Sequence, residues 1–443
     1  MPDRGPDLFD NVRLPPEIDA HCAAGRQDDA VSEKEQMIQF LLDERRVDPK
    51  RILRVQFDEL PPLRDLRTPI LEILRWYQNR TLGRTLNQAA RAGEPAYIFL
   101  DEVQNLPDWA PQLKALVDHH TVRVIVTGSS ALRIEAGKDS LAGRVASLEL
   151  GTLLLREIAG LACGDTIEPF LPANGLQPLL DIGFRRGVEA HGIAHREARD
   201  GAFAAFSERG GYPLVHTRPD AGWPELANQL NETVIRRVIQ HDLRMGERGR
   251  RRDQTLLEEV FRLACRYAGQ APSSATLVAE VKHALNANIG WQRILSYLRF
   301  LEGSLLLRLV RALELRLEKM RGPSKLCVVD HGLRASWLEE SIPLDPARLE
   351  ETPHLADLAG HIAESVVGAY FTGIPNLDVA HFPERATEPE VDFVLTIGEK
   401  RIPVEVKYRR RIDPHRDARV AAFAPARSMK GPALRPTWPA CLA

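Results

Sequence analysis

The stretch from Ala96 to Asn105, AYIFLDEVQN, constrains the fold more than any other part of the chain. Its first five residues are apolar without alternation, which is typical of a strand buried on both faces, as in a parallel sheet. An adjacent pair of carboxylates, Asp101 and Glu102, follows this strand. Acids in this position suit ATP chemistry, because the first can hold a Mg²⁺ ion that bridges phosphates and the second can polarise the attacking water. The alternative is a buried strand that runs into the acidic first turn of a helix.

A second strand and two polar motifs follow in order. Val122–Val126 predicts another buried strand, which leads into Thr127-Gly128-Ser129-Ser130. A polar turn at a strand tip is where a doubly wound fold places ligand contacts. Ser140-Leu141-Ala142-Gly143-Arg144 comes next. In this combination the chain resembles a bacterial and archaeal family of AAA-like P-loop ATPases that carry a C-terminal domain of unknown function. The resemblance covers roughly residues 50 to 410, and its later landmarks are Gly210-Gly211-Tyr212-Pro213, Asp242-Leu243, Val391-Asp392-Phe393 and Val404-Glu405-Val406-Lys407.

The resemblance implies a function and a role for several residues. It implies an ATP-binding protein that couples its nucleotide state to a partner or to a nucleic acid, with Mg²⁺ as a second cofactor. Asp101 would hold the Mg²⁺, Glu102 would activate water and Thr127 would sense the γ-phosphate. Arg144 would be an arginine finger, although a salt bridge at a helix end is an equally good interpretation. Two further hypotheses stand beside this one: a non-enzymatic DNA- or protein-binding remnant of such an ATPase, and a metal-dependent nuclease that works without ATP.

The motif that a P-loop ATPase needs for its phosphates, G-x-x-x-x-G-K-[ST], is absent from the sequence. Backbone N–H groups of that loop cradle the phosphates, and its lysine neutralises them. Gly25, Arg26 and Gln27 stand where the family's loop begins and are the candidate nucleotide contacts, but residues 28–35 carry four acids that would repel a triphosphate. Either the domain has diverged and lost binding, or a local shift of the reading frame has replaced this stretch. We therefore predict weak or no binding of Mg-ATP, and the missing motif argues against ATP turnover.

Charge, cysteine spacing and hydropathy exclude several classes of protein. The net charge of −2 gives no overall attraction to nucleic acid, so any such binding must come from local patches. The five cysteines are widely spaced and form no C-x-x-C or zinc pattern, which argues against a disulfide framework and indicates a reducing cytoplasm. No apolar run approaches the length that spans a membrane, and the N-terminus does not have the pattern of a signal peptide. We expect a cytoplasmic protein without a membrane partner.

Alternating strand and helix patterns predict a parallel α/β sheet in residues 1–165. The fold class is therefore α/β, and the resemblance implies a P-loop NTPase-like sheet. Thr68 is expected to be the N-cap of the first long helix, with Pro69 at the first helical position. The predicted strands are Arg51–Phe57, Tyr97–Leu100 and Val122–Val126, and the predicted helices include Thr68–Ala92 and Ala110–His119.

Residues 166–345 are predicted to be mostly helical. Leu256–Ala268, a helix opened by Pro272-Ser273-Ser274, and Asn288–Glu302 have apolar residues at helical spacing, and strand-like runs follow them. Three helices and a β-hairpin suggest a winged helix, which the resemblance also implies. Basic residues in this region suggest DNA binding, but a solvated charged surface on a domain that only connects two others is an equal alternative, because winged helices also serve as protein-contact modules. These residues are Arg293 and Arg299 on the third helix, and Arg250, Arg251 and Arg252 upstream of the first.

Residues 390–407, EVDFVLTIGEKRIPVEVK, predict a β-hairpin with a defined register. Gly398 fits the first central position of a two-residue turn, because such a turn needs a positive φ there. The register then places Asp392 directly opposite Glu405. Side chains alternate between the two faces, so an apolar face results, and Lys407 shares the other face with the two acids.

Two acids directly opposite each other destabilise a sheet unless something neutralises them. A divalent metal would do so, since Mg²⁺ prefers carboxylate oxygens, and Lys407 could orient a water or stabilise charge in the transition state. The pattern is similar to the D…E-x-K core of restriction-nuclease-like folds. Those folds often add an acid from a preceding helix, for which Glu364 is the candidate beside Asp392 and Glu405. The alternative is an ordinary hairpin whose polar face is wet. This domain would span residues 346–408, followed by an irregular, Arg- and Pro-rich tail in 409–443.

Overall fold

The computed structural model describes residues 33–57, 66–106, 108–128, 141, 144, 149–163, 167–170, 176–239, 253–313, 322–340, 342–384 and 390–408. The chain divides into two compact units, residues 1–148 and residues 149–443, and each unit is described by itself. None of the helices in the described ranges is both long and apolar enough to cross a membrane.

The first unit is built around a three-stranded parallel sheet of order β1-β2-β3, as the strand and helix alternation predicts. The central strand, β2, is buried apart from its first residue, in agreement with its apolar run. The register pairs Gln56 with Asp101 and Leu100 with Val126, so the three strands end at the same edge. The strands are β1 (Ile52–Gln56), β2 (Tyr97–Asp101) and β3 (Arg123–Val126).

The predicted single helix over residues 68–92 is wrong. A helix begins at Pro69 as expected, but the chain leaves helical geometry at Gly83, where φ is 68°. Thr85 then caps a separate short helix through a reciprocal pair of hydrogen bonds with Gln88. Thr68 does stand at the N-cap position, although its hydroxyl donates to the Glu72 carboxylate at 3.1 Å. The helices of this unit are α1 (Glu33–Asp43), α2 (Pro69–Tyr77), α3 (Leu86–Arg91) and α4 (Trp109–His119).

Helices make up most of the described part of the second unit. Three of them, α10 to α12, lie where helices are predicted over residues 256–302, and they pack against one another. Asp253 and Ser273 cap the first two of these helices with hydrogen bonds to Leu256 and Thr276. The helices are α5 (Leu155–Cys163), α6 (Ile182–Ala194), α7 (Arg196–Arg209), α8 (Pro213–His216), α9 (Trp223–Leu230), α10 (Gln254–Arg266), α11 (Ser274–Leu285), α12 (Trp291–Gly303), α13 (His331–Leu338), α14 (Pro346–Glu351) and α15 (Ala356–Gly373).

A five-stranded sheet of order β5-β4-β6-β7-β8 completes the second unit. β4 follows α12 and pairs with β5 in an antiparallel manner, but it also pairs with β6 in parallel. One sheet therefore joins strands that the sequence assigns to two domains, and the predicted boundary at residues 345 and 346 lies between them. The strands are β4 (Leu307–Ala312), β5 (Lys325–Val328), β6 (Asp378–Phe382), β7 (Val391–Ile397) and β8 (Lys400–Val404).

Candidate functional site

The carboxyl edge of the parallel sheet brings Asp101 and Thr127 together. Asp101 is the last residue of β2 and is only 2% exposed. Thr127 comes directly after β3, and its backbone N–H donates to the carbonyl of Leu100 at 2.9 Å. Its hydroxyl donates a short hydrogen bond to the Asp101 carboxylate. A buried carboxylate and a hydroxyl thus lie side by side at the edge where α/β sheets place ligand contacts. Their roles towards Mg²⁺ and the γ-phosphate stay predictions.

Glu102 makes the sharp turn that takes the chain out of β2. Its φ is 53°, a left-handed conformation that is uncommon for a residue with a side chain and costs about 1 kcal/mol or more. A short 3-10 turn, Val103–Asn105, follows it. The second acid of the pair therefore lies beside the sheet edge but not on the strand. The role of Glu102 in activating water stays a prediction.

Arg144 has a structural partner at the end of a helix. Its Nε donates to Asp118 Oδ1 at 2.6 Å, and Asp118 lies in the last turn of α4. The hydrogen bond to Arg144 holds the pKa of the Asp118 carboxyl below its usual value. This contact is the helix-end salt bridge that the sequence left as the alternative, and the arginine-finger role stays a prediction. Gly25, Arg26 and Gln27 lie outside the described residues, as do Arg250, Arg251 and Arg252.

The hairpin has the register that its turn predicts. Gly398 has a φ of 61°, and the strands pair from Ile397 with Lys400 back to Phe393 with Val404. Asp392 therefore stands next to the last pair, and its Oδ2 accepts a hydrogen bond from the Val406 N–H at 2.8 Å. The outer face is not a wet surface, because Asp392 is only 9% exposed and most of β7 is buried on both sides.

The acids of the hairpin region do not share one partner. Glu405 accepts a short hydrogen bond from the Lys407 ammonium. Asp392 and Glu364 instead converge on Lys325, the first residue of β5. The Lys325 Nζ lies 2.9 Å from Glu364 Oε2 and 3.5 Å from Asp392 Oδ1. Sequence reasoning missed Lys325, although a lysine that opens the run KLCVV was a signal that a charged group lies within the sheet.

Burial and charge act in opposite directions on this cluster. Burial lowers the pKa of Lys325, but the charges of Glu364 and Asp392 raise it by more, so the net shift is upward. Burial, and then the charge of Asp392, raise the pKa of Glu364. A buried lysine is thus kept in its charged form by the acids around it.

These residues do not fit a bound divalent metal. Within the described ranges, no group of three or more His, Cys, Asp and Glu side chains is arranged to hold a metal ion. The space between Glu364 and Asp392 is taken by the Lys325 ammonium. The contacts in this structure thus give no support to the predicted metal roles of Asp392, Glu364 and Glu405. Those roles, and the catalytic role of Lys407, are predictions from the sequence alone.

Comparison with known families gives two matches, the first of which extends a few residues past the end of the first unit. Residues 34–159 match the family model of an AAA domain. This match supports an AAA-like, ATPase-type, nucleotide-binding function for the part of the chain that contains Asp101 and Thr127. Residues 202–342 match a domain of unknown function, DUF8612, in the second unit. No curated protein matches the chain.

Proposed function

We propose that the chain is an AAA-like nucleotide-binding protein in which the Mg²⁺ side of the nucleotide site persists without a standard phosphate loop. The observation that carries the proposal is the hydrogen bond between Thr127 and the buried Asp101 at the carboxyl edge of the parallel sheet. A carboxylate beside a hydroxyl can hold a magnesium ion through its waters, which is the task of the corresponding acid in P-loop enzymes. Glu102, one residue on, would polarise the attacking water.

The missing loop limits what this site does alone. Without a Gly-Lys-Ser/Thr loop, no ring of backbone N–H groups and no lysine neutralise the phosphates. The acids in residues 28–35 add repulsion of the same sign as the triphosphate. Mg-ATP therefore binds weakly to this chain, and turnover is correspondingly slow or absent.

The test restores the missing phosphate loop. Calorimetric titration of the full chain with Mg-ATP is expected to show no saturable binding at micromolar concentrations. Replacing residues 28–35 with a family-like G-x-x-x-x-G-K-T loop is expected to produce micromolar binding that depends on Mg²⁺. In that background Asp101→Asn should remove the Mg²⁺ dependence, whereas Asp43→Asn, at an exposed acid at the end of α1, should not.

Each outcome bears on the proposal. A folded loop-restored chain that fails to bind Mg-ATP would show that the sheet edge cannot take a nucleotide. Micromolar binding by the unaltered chain would show that the missing loop is not limiting. Glu102→Gln in the restored chain should keep binding and lose hydrolysis, if Glu102 positions the attacking water.

A second function is favoured by the helices before the β4–β5 hairpin. The three packed helices α10 to α12 and that hairpin have the order of a winged helix, a module that places its third helix in the major groove of DNA. The outer side of α12 carries exposed polar residues suited to that groove. They are Gln292, Arg293, Ser296 and Arg299. We propose that this face contacts duplex DNA and so couples the nucleotide-binding unit to a nucleic acid.

Salt dependence distinguishes this proposal from contact with a protein partner. When arginines contact phosphates, the logarithm of the association constant falls linearly with the logarithm of the salt concentration, with a slope of about −0.9 for each contact. Arg293→Ala with Arg299→Ala should therefore reduce the slope by about 2 in a fluorescence anisotropy titration. Neutralising Arg250, Arg251 and Arg252 tests the upstream basic run in the same way. Arg186→Ala, at an exposed arginine on α6, is the control. No binding at low salt would favour the protein-contact interpretation.

A further inference from the structure

A buried lysine stands at the centre of the acidic cluster in the second unit. Lys325 is 1% exposed, and its Nζ lies 2.9 Å from Glu364 Oε2, 3.5 Å from Asp392 Oδ1 and 3.7 Å from Glu390 Oε1. The three acids come from separate parts of the chain: Glu364 from α15, Asp392 from β7, and Glu390 from the residues before β7. One ammonium thus links a helix and two strands at a point that solvent hardly reaches.

The remaining contacts hold this arrangement in place. The ring of Phe393 lies 5.2 Å from the Lys325 ammonium, a cation–π distance, so the side chain has an aromatic partner as well as acids. The second oxygen of Asp392 accepts from the Val406 backbone at 2.8 Å. Glu405 is held by Lys407. Both oxygens of Asp392, and one oxygen of Glu405, are therefore already directed at donors within the protein.

An ammonium and a divalent metal would compete for this position. Both are drawn to the same carboxylate oxygens, and Mg²⁺ needs those oxygens at about 2.0 to 2.1 Å in near-octahedral geometry. Lys325 lies within hydrogen-bonding distance of the Glu364 oxygen, and a second cation in the same pocket would be repelled by its charge. Removing one partner from a buried ion pair leaves an uncompensated charge, so the lysine cannot withdraw without cost.

We propose that Lys325 is the resident cation of this site, and that its ammonium takes the place that a divalent metal would have among Glu364, Glu390 and Asp392. The cluster then joins α15 to β5 and β7 as a metal-independent ion-pair network. It follows that this unit performs no metal-dependent nuclease chemistry at these acids. The inference concerns the second unit alone and does not depend on the proposed nucleotide binding.

The experiment compares metal responses of the full chain and its variants by thermal melting, in EDTA and in millimolar Mn²⁺ or Mg²⁺. The unaltered chain is expected to melt at the same temperature under all conditions. Lys325→Met removes the charge and keeps a linear side chain. This variant should melt lower in EDTA and recover stability as Mn²⁺ is added, because a metal that binds only the folded state stabilises it. Adding Asp392→Asn to Lys325→Met should abolish the recovery.

Lys400→Met is the matched control, since it removes an exposed lysine at the start of β8, outside the Lys325 cluster, and it should show no metal response. If Lys325→Met does not fold in either condition, Lys325→Met with Glu364→Gln removes one opposing charge as well and should fold. Three results would overturn the proposal. The first is a rise in the melting temperature of the unaltered chain with Mn²⁺ that Asp392→Asn abolishes. The second is a melting temperature of Lys325→Met in EDTA as high as that of the unaltered chain. The third is failure of both Lys325 variants to fold or to respond to Mn²⁺ as described.

Discussion

Asp330 joins two distant segments of the second unit through one carboxylate, and its removal should be among the most damaging single changes there. It is 1% exposed and caps α13, where Oδ1 accepts from the N–H groups of Gly332 at 2.8 Å and Leu333 at 3.2 Å. Its other oxygen accepts from the Gly211 N–H at 2.6 Å. Gly211 belongs to the Gly-Gly-Tyr-Pro motif, and Asp330 therefore helps to hold this motif, together with the hydrogen bond from the Leu153 N–H to the Gly211 carbonyl at 2.7 Å.

The cost of Asp330→Ala can be worked out from these contacts. Loss of the N-cap costs about 1 kcal/mol. The buried Gly211 amide would lose a charged acceptor, which costs about 2 to 3 kcal/mol. Together the free energy of unfolding should fall by about 3 to 4 kcal/mol. Asp330→Asn should cost less, because asparagine still caps the helix and only the contact with Gly211 is lost.

Hydrogen exchange suits this test, because a chain with two compact units does not guarantee a two-state denaturation curve. The amides of Gly211, Gly332 and Leu333 should lose protection by about 100- to 1,000-fold in Asp330→Ala, the factor that 3 to 4 kcal/mol corresponds to. In Asp330→Asn the loss should be concentrated at Gly211. A loss of under about tenfold at all three amides, or an equal effect of Asn and Ala on all three, would refute the reasoning.

Three other changes test separate contacts. Thr127→Val should destabilise the first unit by about 1.5 to 3 kcal/mol in urea unfolding, because the buried Asp101 carboxylate loses a donor, whereas Thr127→Ser should cost much less. Burial lowers the pKa of His381 from 6.5 to about 4, so its contribution to stability is present above pH 6.5 and is lost as the pH falls towards 4. The free energy of unfolding should be about 2 kcal/mol lower at pH 5 than at pH 8 in melting experiments, and His381→Gln should lack this difference. The same pH dependence in His381→Gln as in the unaltered chain would contradict the prediction. Gly368→Ala would place a Cβ 2.5 Å from the Sγ of Cys327, so it should lower the free energy of unfolding by about 1 to 3 kcal/mol. A melting temperature equal to that of the unaltered chain would contradict this prediction.

Local patterns predicted much of the first unit correctly. The apolar run ending at Leu100 predicted the central strand of a parallel sheet, and the strand lies there with Asp101 at its tip. Thr127 could be placed beside it because parallel strands end at a common edge. The error over residues 68–92 arose because helical spacing continues across the break at Gly83. The capping box of Thr85 and Gln88 was the local signal that could have revealed it.

The second unit shows where local reasoning stops. The register of the hairpin was predictable, because the turn at Gly398 and the two-residue period of a strand are local properties. The pairing of β4 with β6 was not, since these strands are far apart in sequence and no turn connects them. Strands that the sequence assigns to two different domains therefore lie in one sheet.

Local sequence patterns located the carboxyl ends of β2 and β3, the capped start of α11 and the faces of the hairpin, because period, turn and cap chemistry act over a few residues. Tertiary packing, by contrast, determines which charged side chains meet. Lys325 and Glu364 are separated by 39 positions, and nothing local selects one lysine over another as the partner of an acid. Lys407, two residues from Glu405, pairs with it, while the buried Lys325 binds Glu364 and lies within ion-pair distance of Asp392. The physical reason is burial, because an acid removed from water requires the cation that the packing of α15, β5 and β7 brings within reach.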